Sequence, residues 1–412
     1  MVESQADVSS LWPVFRMHPP LRATARPRES AALKVSQWGP EVASVLCIRL
    51  DNLGDVLMTE PAMRQLKCDV PGRHITLLAA PSGAAAAALL DVVDDVIVHR
   101  PSWMPGALGP DAPVDTERAL IDTLRQRKFD AAVIFTVYSQ SALPAAMLCH
   151  LAGIPRVLAH CRENPYGLVN HWIPEREPLD TLRHEVQRQV DLVSEVMVSH
   201  LAASLSSSTS TARSASGMRV TVDPQDHVDI ERLLLRHDVD IESEMIVVHA
   251  GATAGSRCYP PERFGQAISK IVRRTGWPVL LTGSASEAPM VAEVKAAVAD
   301  DIGHKVLDLS ERLSFGQLAA LLARATLLLS NNSGPVHLAA AAQTPVVVLY
   351  ALTNPQHTPW QTPCRVLFDD VPCRWCYRSV CPEGHHACLL GVSADAVAEA
   401  VFDLIAETCD TA

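Results

Sequence analysis

Long apolar runs and an excess of positive charge are both missing from this chain of 412 residues. No stretch reaches the roughly 18 uninterrupted apolar residues that a membrane-spanning helix needs. The N-terminus carries Glu3 and Asp7 and lacks the apolar core of a secretory signal. A formal net charge of −11 argues against electrostatic binding to nucleic acid or to an anionic bilayer. These absences exclude an integral membrane protein and give no support to a nucleic-acid partner.

Aromatic residues are also scarce, at 5%, but with 48% hydrophobic and 20% charged residues the composition is that of an ordinary globular protein. Because 412 residues exceed what one hydrophobic core normally supports, we expect two domains. The Ser/Thr-rich stretch LAASLSSSTSTAR at residues 201–213 has no apolar period and predicts a linker. The expected organisation is a loosely ordered extension (1–40), a first domain (41–200), a linker (201–217), a second domain (218–392) and a C-terminal helix (393–412).

Short apolar runs alternate with segments of helical spacing in both halves of the chain. The strand-like runs are residues 44–50, 74–80, 94–100 and 129–136, then 245–250, 278–283, 306–310 and 326–330. Continuous apolar strands separated by helices are typical of a parallel sheet covered on both faces. Both domains are therefore predicted to be doubly wound α/β units.

Three turns rich in small residues follow strands of the second half and predict a site for a nucleotide diphosphate. They are HAGATAGSR (249–257), TGSASE (282–287) and SNNSGP (330–335). In the last turn, Ser333 is a preferred N-cap residue, Gly334 lets the backbone approach a ligand, and Pro335 suits the first helical position. The start of a helix attracts phosphate, although the same residues also fit an ordinary helix start.

Two charged side chains in these turns suit such a ligand. Arg257 could neutralise phosphate, and Glu287, which follows Thr282 and Gly283, could accept hydrogen bonds from a ribose. The simpler alternatives are a solvated surface cation for Arg257 and a helix-start residue for Glu287.

In the first half, the turn RLDNLGD at residues 49–55 places two carboxylates beside a glycine at the end of a strand. Either Asp51 or Asp55 could act as a general base. The alternatives are a helix-capping role for Asp55 and an ordinary turn position for Asp51.

Four segments together resemble glycosyltransferase family nine, which includes the ADP-heptose:lipopolysaccharide heptosyltransferases. They are SVLCIRLDNLGDVLMTEPAMRQLK, HAGATAGSRCYPPERF, LLTGSASE and NNSGPVHLAAAAQTPVVVLYALTNP, in this order. The resemblance runs from about Ser44 to the C-terminus. It implies a GT-B fold, with two doubly wound Rossmann-like domains facing a central cleft, the nucleotide-sugar in the C-terminal domain and the acceptor in the N-terminal one.

The resemblance also implies an inverting enzyme that moves heptose from ADP-heptose to a hydroxyl of a lipopolysaccharide-core or other cell-surface glycan. Such an enzyme would work in the cytoplasm, at the inner face of the inner membrane, where membrane contact would be peripheral. Two alternatives are a nucleotide-sugar binding protein without turnover and a protein heptosyltransferase of the autotransporter type. A third is another GT-B reaction, such as epimerisation of a sugar nucleotide.

By position, Asp55 falls on the family's proposed general base, and Arg257 stands where the family usually has a lysine that neutralises diphosphate. Glu287 matches the acidic residue near the ribose. Asn332 stands where heptosyltransferases often have Asp, so the motif supports glycosyl transfer more firmly than heptose. The turn and helix that face the phosphates are matched by Ser333, Gly334 and His337.

Acceptor contacts are expected in the first domain, where Asp51 and Arg162 are the candidates, with a surface role as the alternative for Arg162. No cofactor is expected for catalysis, because leaving-group stabilisation by Arg257 and the 333–337 turn can replace a divalent cation.

A cluster of cysteines lies near the C-terminus: Cys373, Cys376, Cys381 and Cys388. Four thiols at this spacing can satisfy a tetrahedral structural metal such as Zn²⁺ or iron. Reduced thiols and disulfides are the alternatives. A related group that glycosylates autotransporter proteins has cysteine-bound iron, so the resemblance leaves the metal open.

Overall fold

The computed structural model describes residues 5–6, 37–103, 115–177, 182–198 and 217–409. The chain divides into two compact units, with the boundary between Arg219 and Val220, and a short N-terminal strand, β1 (Gln5–Ala6), belongs to the second unit. Residues 201–216 of the predicted linker lie outside the described residues.

The first unit is built on six parallel strands with helices between them. Its elements are β2 (Ser44–Arg49), α1 (Leu53–Asp69), β3 (His74–Ala79), α2 (Pro81–Ala87), β4 (Asp95–Val98), α3 (Asp115–Arg127), β5 (Ala131–Ile134), α4 (Leu143–Ala152), β6 (Val157–Cys161), β7 (His171–Pro174) and α5 (Glu185–Ser194). The strand order is β4-β3-β2-β5-β6-β7. The order reverses between β2 and β5, and ligands of open α/β sheets bind beyond the carboxyl ends of strands at such a point.

Trp38 shows that this unit begins before residue 41. Its side chain is fully buried, its indole Nε1 donates to His171 Nε2 at 3.3 Å, and its backbone N–H donates to Val196 O at 2.8 Å. Trp38 therefore packs in the core of this unit, although the sequence predicted a loosely ordered extension over residues 1–40.

The second unit has six parallel strands, and β1 pairs antiparallel at one edge. Its elements are α6 (Pro224–Leu235), β8 (Ile246–His249), a 3₁₀ turn (Gly255–Arg257), α7 (Pro261–Thr275), β9 (Val279–Thr282), α8 (Ala288–Ala296), a second 3₁₀ segment (Asp300–Lys305), β10 (Val306–Asp308), α9 (Phe315–Arg324), β11 (Leu327–Asn331), α10 (Gly334–Ala341), β12 (Val346–Leu349), β13 (Cys364–Leu367), α11 (Ala387–Leu390) and α12 (Ala394–Cys409). The order β13-β12-β11-β8-β9-β10 reverses between β11 and β8.

The C-terminal helix α12 packs on the second unit. Val397, Val401 and Leu404 are fully buried in the same apolar cluster as Phe264 and Ile268 of α7. The prediction of two doubly wound α/β units is confirmed. Among the described helices, none has both the length and the apolar character needed to cross a membrane.

Candidate active site

Arg49, the last residue of β2, is fully buried and its guanidinium lies between three carboxylates. Nε is 2.9 Å from Asp51 Oδ2, Nη2 is 3.2 Å from Asp55 Oδ1, and Nη1 is 2.9 Å from Glu185 Oε1. The first two carboxylates come from the turn after β2 and from the first turn of α1. The third comes from the first residue of α5, which is 136 positions from Arg49 along the chain.

Asp55 also makes the capping interaction that the sequence offered as its alternative role. Its Oδ2 accepts the backbone N–H of Asn52, the residue before α1, at 3.2 Å. The side chain nevertheless remains 15% exposed. A carboxylate that is fixed by a cation and a backbone amide, and still open to solvent, can accept a proton from a bound hydroxyl.

Asp51 belongs to the same group of charges. Burial raises the pKa of Asp51 to about 6, although Arg49 acts in the opposite direction. Gln140, in the loop after β5, donates from Nε2 to Asp51 Oδ1 at 2.5 Å. This loop is at the reversal of strand order, at the carboxyl ends of β2 and β5.

Arg162 follows β6 and contacts the same loop. Its guanidinium carbon lies 5.6 Å from the centre of the Tyr138 ring, and Nη2 donates to Tyr138 O. Asp51 and Arg162, both predicted to contact an acceptor, are therefore brought to one loop between β5 and α4.

In the second unit, the strand register aligns the predicted ligand turns. His249 of β8 pairs with Thr282 of β9 on one side and with Ser330 of β11 on the other. Asn331 connects two of the strand ends, because its Nδ2 donates to Ala250 O at 2.5 Å and its Oδ1 accepts the Tyr259 N–H at 3.1 Å. Asn331 was not selected in the sequence analysis, although this residue lies in the SNNSGP turn beside Asn332.

Glu287, the residue before α8, faces the turn after β8. Its Oε2 accepts from Ser284 N at 2.8 Å and from Ser284 Oγ at 2.7 Å. Its Oε1 is 3.7 Å from His249 Nε2. The interaction with His249 and the hydrogen bonds from Ser284 lower the pKa of Glu287 to about 2. This carboxylate is therefore an acceptor of hydrogen bonds over the physiological range.

Thr282 and Gly283 shape the turn that carries Glu287. Thr282 is buried, and its Oγ1 donates to Val248 O at 3.3 Å and lies 3.2 Å from His249 Nδ1. A Cβ on Gly283 would lie 3.0 Å from Val291 Cγ2 of α8, so the close packing of turn and helix favours glycine here.

Ser333 takes the N-cap position of α10, but its hydroxyl does not cap the helix. Its Oγ donates instead to Asn331 O at 3.2 Å. Gly334 is the first residue of α10, and His337 is buried in the first turn. The expected helix start is present, with the serine oxygen turned toward the strand end.

Arg257, Asn332 and Tyr350 lie together beyond β11 and β12. Burial raises the pKa of the Tyr350 phenol, while the nearby Arg257 charge and a hydrogen bond with the Asn332 side chain act to lower it. Asn332 is buried, and its backbone N–H donates to Leu349 O at 3.1 Å. Arg257 Nε is a buried atom that has no hydrogen-bond partner in the part of the chain that the structure describes. The guanidinium thus has donor capacity for a further acceptor.

The cysteine-rich segment lies against the same loops. Its backbone makes two bonds to the turn after β12, from Trp375 N to Leu352 O at 2.7 Å and from Tyr377 N to Thr353 O at 2.8 Å. Ser256, in the turn after β8, donates through its backbone N–H to Ser379 O at 3.2 Å. This docking could not be predicted from the sequence, because it depends on backbone groups.

The cysteines themselves are in unlike environments. Backbone N–H groups lower the pKa of the partly exposed Cys381 thiol, whereas burial raises the pKa of Cys388. Cys373 Sγ lies 3.7 Å from His385 Nε2. Within the described ranges, no three His, Cys, Asp or Glu side chains are grouped so that they could hold a metal ion. The four thiols therefore do not fit a preformed metal site, and a structural metal there stays a prediction.

The model of the family described as Glycosyltransferase family 9 (heptosyltransferase) matches residues 117–387 of this chain. Lipopolysaccharide heptosyltransferase 2 of Salmonella typhimurium is 24% identical over 370 residues, which are 88% of this chain and 99% of the relative.

Two solved structures share the fold. The structure of E. coli ADP-heptose LPS heptosyltransferase II has a TM-score of 0.69 at 21% sequence identity and covers 89% of this chain and 99% of its own. The E. coli heptosyltransferase WaaC, solved with ADP-2-deoxy-2-fluoro heptose, has a TM-score of 0.60 at 18% identity and covers 87% of this chain and 99% of its own. The GT-B fold class predicted above is thereby confirmed.

Proposed function

Because this chain belongs to glycosyltransferase family 9, we propose that it transfers heptose from ADP-heptose to a hydroxyl of a lipopolysaccharide-core or other cell-surface glycan, with inversion at the anomeric carbon. The named activities of the relatives support the heptose donor and the lipopolysaccharide acceptor. The solved complex of one neighbour with an ADP-heptose analogue supports ADP as the nucleotide.

The observation that carries turnover, as opposed to binding alone, is the Asp55 carboxylate that Arg49 holds at 3.2 Å. In the proposed reaction this carboxylate takes the proton of the acceptor hydroxyl while the oxygen attacks the anomeric carbon. The bond from that carbon to the diphosphate breaks, and ADP leaves with the electron pair. Asp51 and Arg162, at the neighbouring loop, are the proposed acceptor contacts.

On the donor side, Arg257 and the start of α10 are the proposed stabilisers of the departing diphosphate. Among the described residues, Arg257 Nε has no hydrogen-bond partner, which supports this role, and the N-terminal end of a helix favours negative charge. Asn332, Ser333, Gly334 and His337 form that end, and Glu287, in the turn shaped by Thr282 and Gly283, is the proposed partner of the ribose hydroxyls. Charge stabilisation by these groups supports chemistry without a catalytic cofactor.

An acceptor that carries a lipid anchor would bring the enzyme to the cytoplasmic face of the inner membrane. We include peripheral contact with that membrane in the proposal.

The test is a transfer assay that supplies ADP-heptose and, in parallel, GDP-, UDP- and dTDP-sugars, with a core oligosaccharide acceptor and detection of the product by mass spectrometry. The proposal expects a heptosylated glycan from ADP-heptose alone. Product on a protein acceptor instead would identify the autotransporter-type alternative. A thermal shift with the donor but no product would identify a binding protein. Because Asn332 stands where heptosyltransferases often have Asp, transfer of a different sugar is also among the outcomes.

A further inference from the structure

The buried Arg49 guanidinium connects the candidate base to a carboxylate on another helix. Nη2 contacts Asp55 and Nη1 contacts Glu185, so one planar group bridges the start of α1 and the start of α5. Glu185 has no exposed side-chain surface. Its carboxylate contacts the same guanidinium as the two aspartates, and its charge also acts to raise the pKa of Asp51.

From this geometry we infer that Glu185 is a positioning residue that sets the strength of the base through Arg49. The inference rests on the proposed function, in which Asp55 is the base. None of the sequence motifs includes Glu185. Its carboxylate is held by two residues, because Arg49 Nη1 contacts Oε1 and Gln189 Nε2 also donates to Oε1 at 2.7 Å.

The charges around Arg49 determine the direction of the effect. Asp51, Asp55 and Glu185 together carry three negative charges against the single positive charge of Arg49, which leaves the group with an excess of negative charge when all are ionised. Neighbouring like charges disfavour the ionised form of a carboxylate. Glu185 therefore raises the proton affinity of the two aspartates and makes Asp55 a stronger base than Arg49 alone would allow.

Further charged or titratable groups near this cluster, among the described residues, are Arg188 of α5, His160 of β6 and Glu175, which follows β7. Arg188 Nη1 lies 3.7 Å from Glu185 Oε2, and Arg188 is itself paired with Glu175. Burial and the Arg188 charge lower the pKa of His160 to about 4, so this imidazole is neutral above that value. The Arg188 charge is offset by Glu175, and the negative excess around Arg49 remains.

Replacement of Glu185 by an uncharged residue of the same shape isolates the charge. In Glu185→Gln the acid limb of the pH profile of kcat/KM should move to lower pH by about one unit. A negative charge on the far side of the Arg49 guanidinium is expected to change the proton affinity of the aspartates by about this amount. The plateau rate should fall a few-fold, because a weaker base removes the proton less readily. Because Asp51 and Asp55 both contact Arg49, the acid limb reports the two carboxylates together and not Asp55 alone.

Glu185→Asp keeps the charge and should restore the wild-type limb. Glu177→Gln is the matched control, because Glu177 is equally buried but pairs with Arg183 at 2.6 Å and not with Arg49. Its limb should stay in place. If Glu185→Gln leaves the limb unmoved, or if Glu177→Gln moves it equally, the inference is wrong.

Folding of each variant is checked by its thermal midpoint and by ADP binding, which the proposal assigns to the second unit. Should Glu185→Gln not fold, Glu185→Met carries the test, since it also removes the charge at a similar side-chain length and must also move the limb down. Asp55→Asn in the same assay distinguishes a failure of the proposed base from a failure of the role given to Glu185. Wild-type activity in that variant contradicts the proposed base, whereas an inactive Asp55→Asn with an unmoved limb in Glu185→Gln contradicts only the role of Glu185.

Discussion

The carboxylate of Glu287 occupies the space that a side chain at Gly251 would need. A Cβ at Gly251 would overlap both Oε1 and the carboxyl carbon of Glu287. The two residues come from turns that follow neighbouring strands, β8 and β9. The position of the proposed ribose acceptor therefore depends on the absence of a side chain in the adjacent turn.

We predict that Gly251→Ala weakens ADP binding by roughly tenfold or more, because it displaces a carboxylate that would accept a charge-assisted hydrogen bond. Isothermal titration with ADP measures the loss. Gly255→Ala is the matched control in the same turn, since a Cβ there meets no other described residue within 4 Å, its two chain neighbours aside. Equal affinities of Gly251→Ala and the wild-type protein would exclude the role given to Glu287.

Arg257→Ala should weaken ADP binding by roughly ten- to a hundredfold, because it removes the cation proposed to face the diphosphate. Adenosine, which has no phosphate, should bind the variant and the wild-type protein alike. Arg257→Lys should recover part of the lost affinity, as a point charge replaces a planar fork. An ADP affinity that is unaltered in Arg257→Ala would contradict the assignment.

Acid should remove the contribution of Glu287 to folding. Its folded-state pKa is lowered from 4.5 to about 2, so the stabilisation is present above the unfolded value and is lost as the pH falls toward the folded one. We expect Glu287→Gln to have a smaller free energy of unfolding than the wild-type protein at neutral pH, with a difference that shrinks below about pH 4.5. Urea titrations at several pH values measure it, and a difference that grows in acid would show the opposite linkage.

The cysteines should differ in reactivity. Backbone N–H groups favour the thiolate of Cys381, whereas burial raises the pKa of Cys47 and of Cys149 to about 12. Timed alkylation with iodoacetamide and mass spectrometry should therefore label Cys381 first and the two buried thiols last.

Elemental analysis of the same sample tests the structural metal. A bound metal would give stoichiometric zinc or iron and cysteines that react only after a chelator is added.

The sequence was sufficient to predict elements whose apolar period is unbroken. The strand-like run at residues 326–330, for example, is observed as β11 (Leu327–Asn331), whose five residues are all buried. The segment of α5 gave no such signal, because its buried face includes Glu185, Arg188 and Gln189, which are polar residues that a sequence reading assigns to solvent. Their burial is explained by partners far away in the chain.

The candidate site divides in the same way. Asp55, Arg257 and Glu287 could be selected because each stands in a turn after a strand. The shared guanidinium contact of Asp55 and Glu185 could not, since it joins residues 130 positions apart and no local pattern encodes it. The hydroxyl of Ser333 shows the limit of local rules, because this preferred capping residue does not cap α10 and donates instead to Asn331 O.

The central claim is that Asp55 acts as the base of a sugar transfer, and Asp55→Asn tests it most directly. The amide keeps the shape of the side chain but cannot accept the proton. Initial rates of product formation should fall by roughly a hundredfold to ten-thousandfold, while ADP affinity stays at the wild-type value. A variant that binds ADP normally and transfers sugar at the wild-type rate would contradict the account.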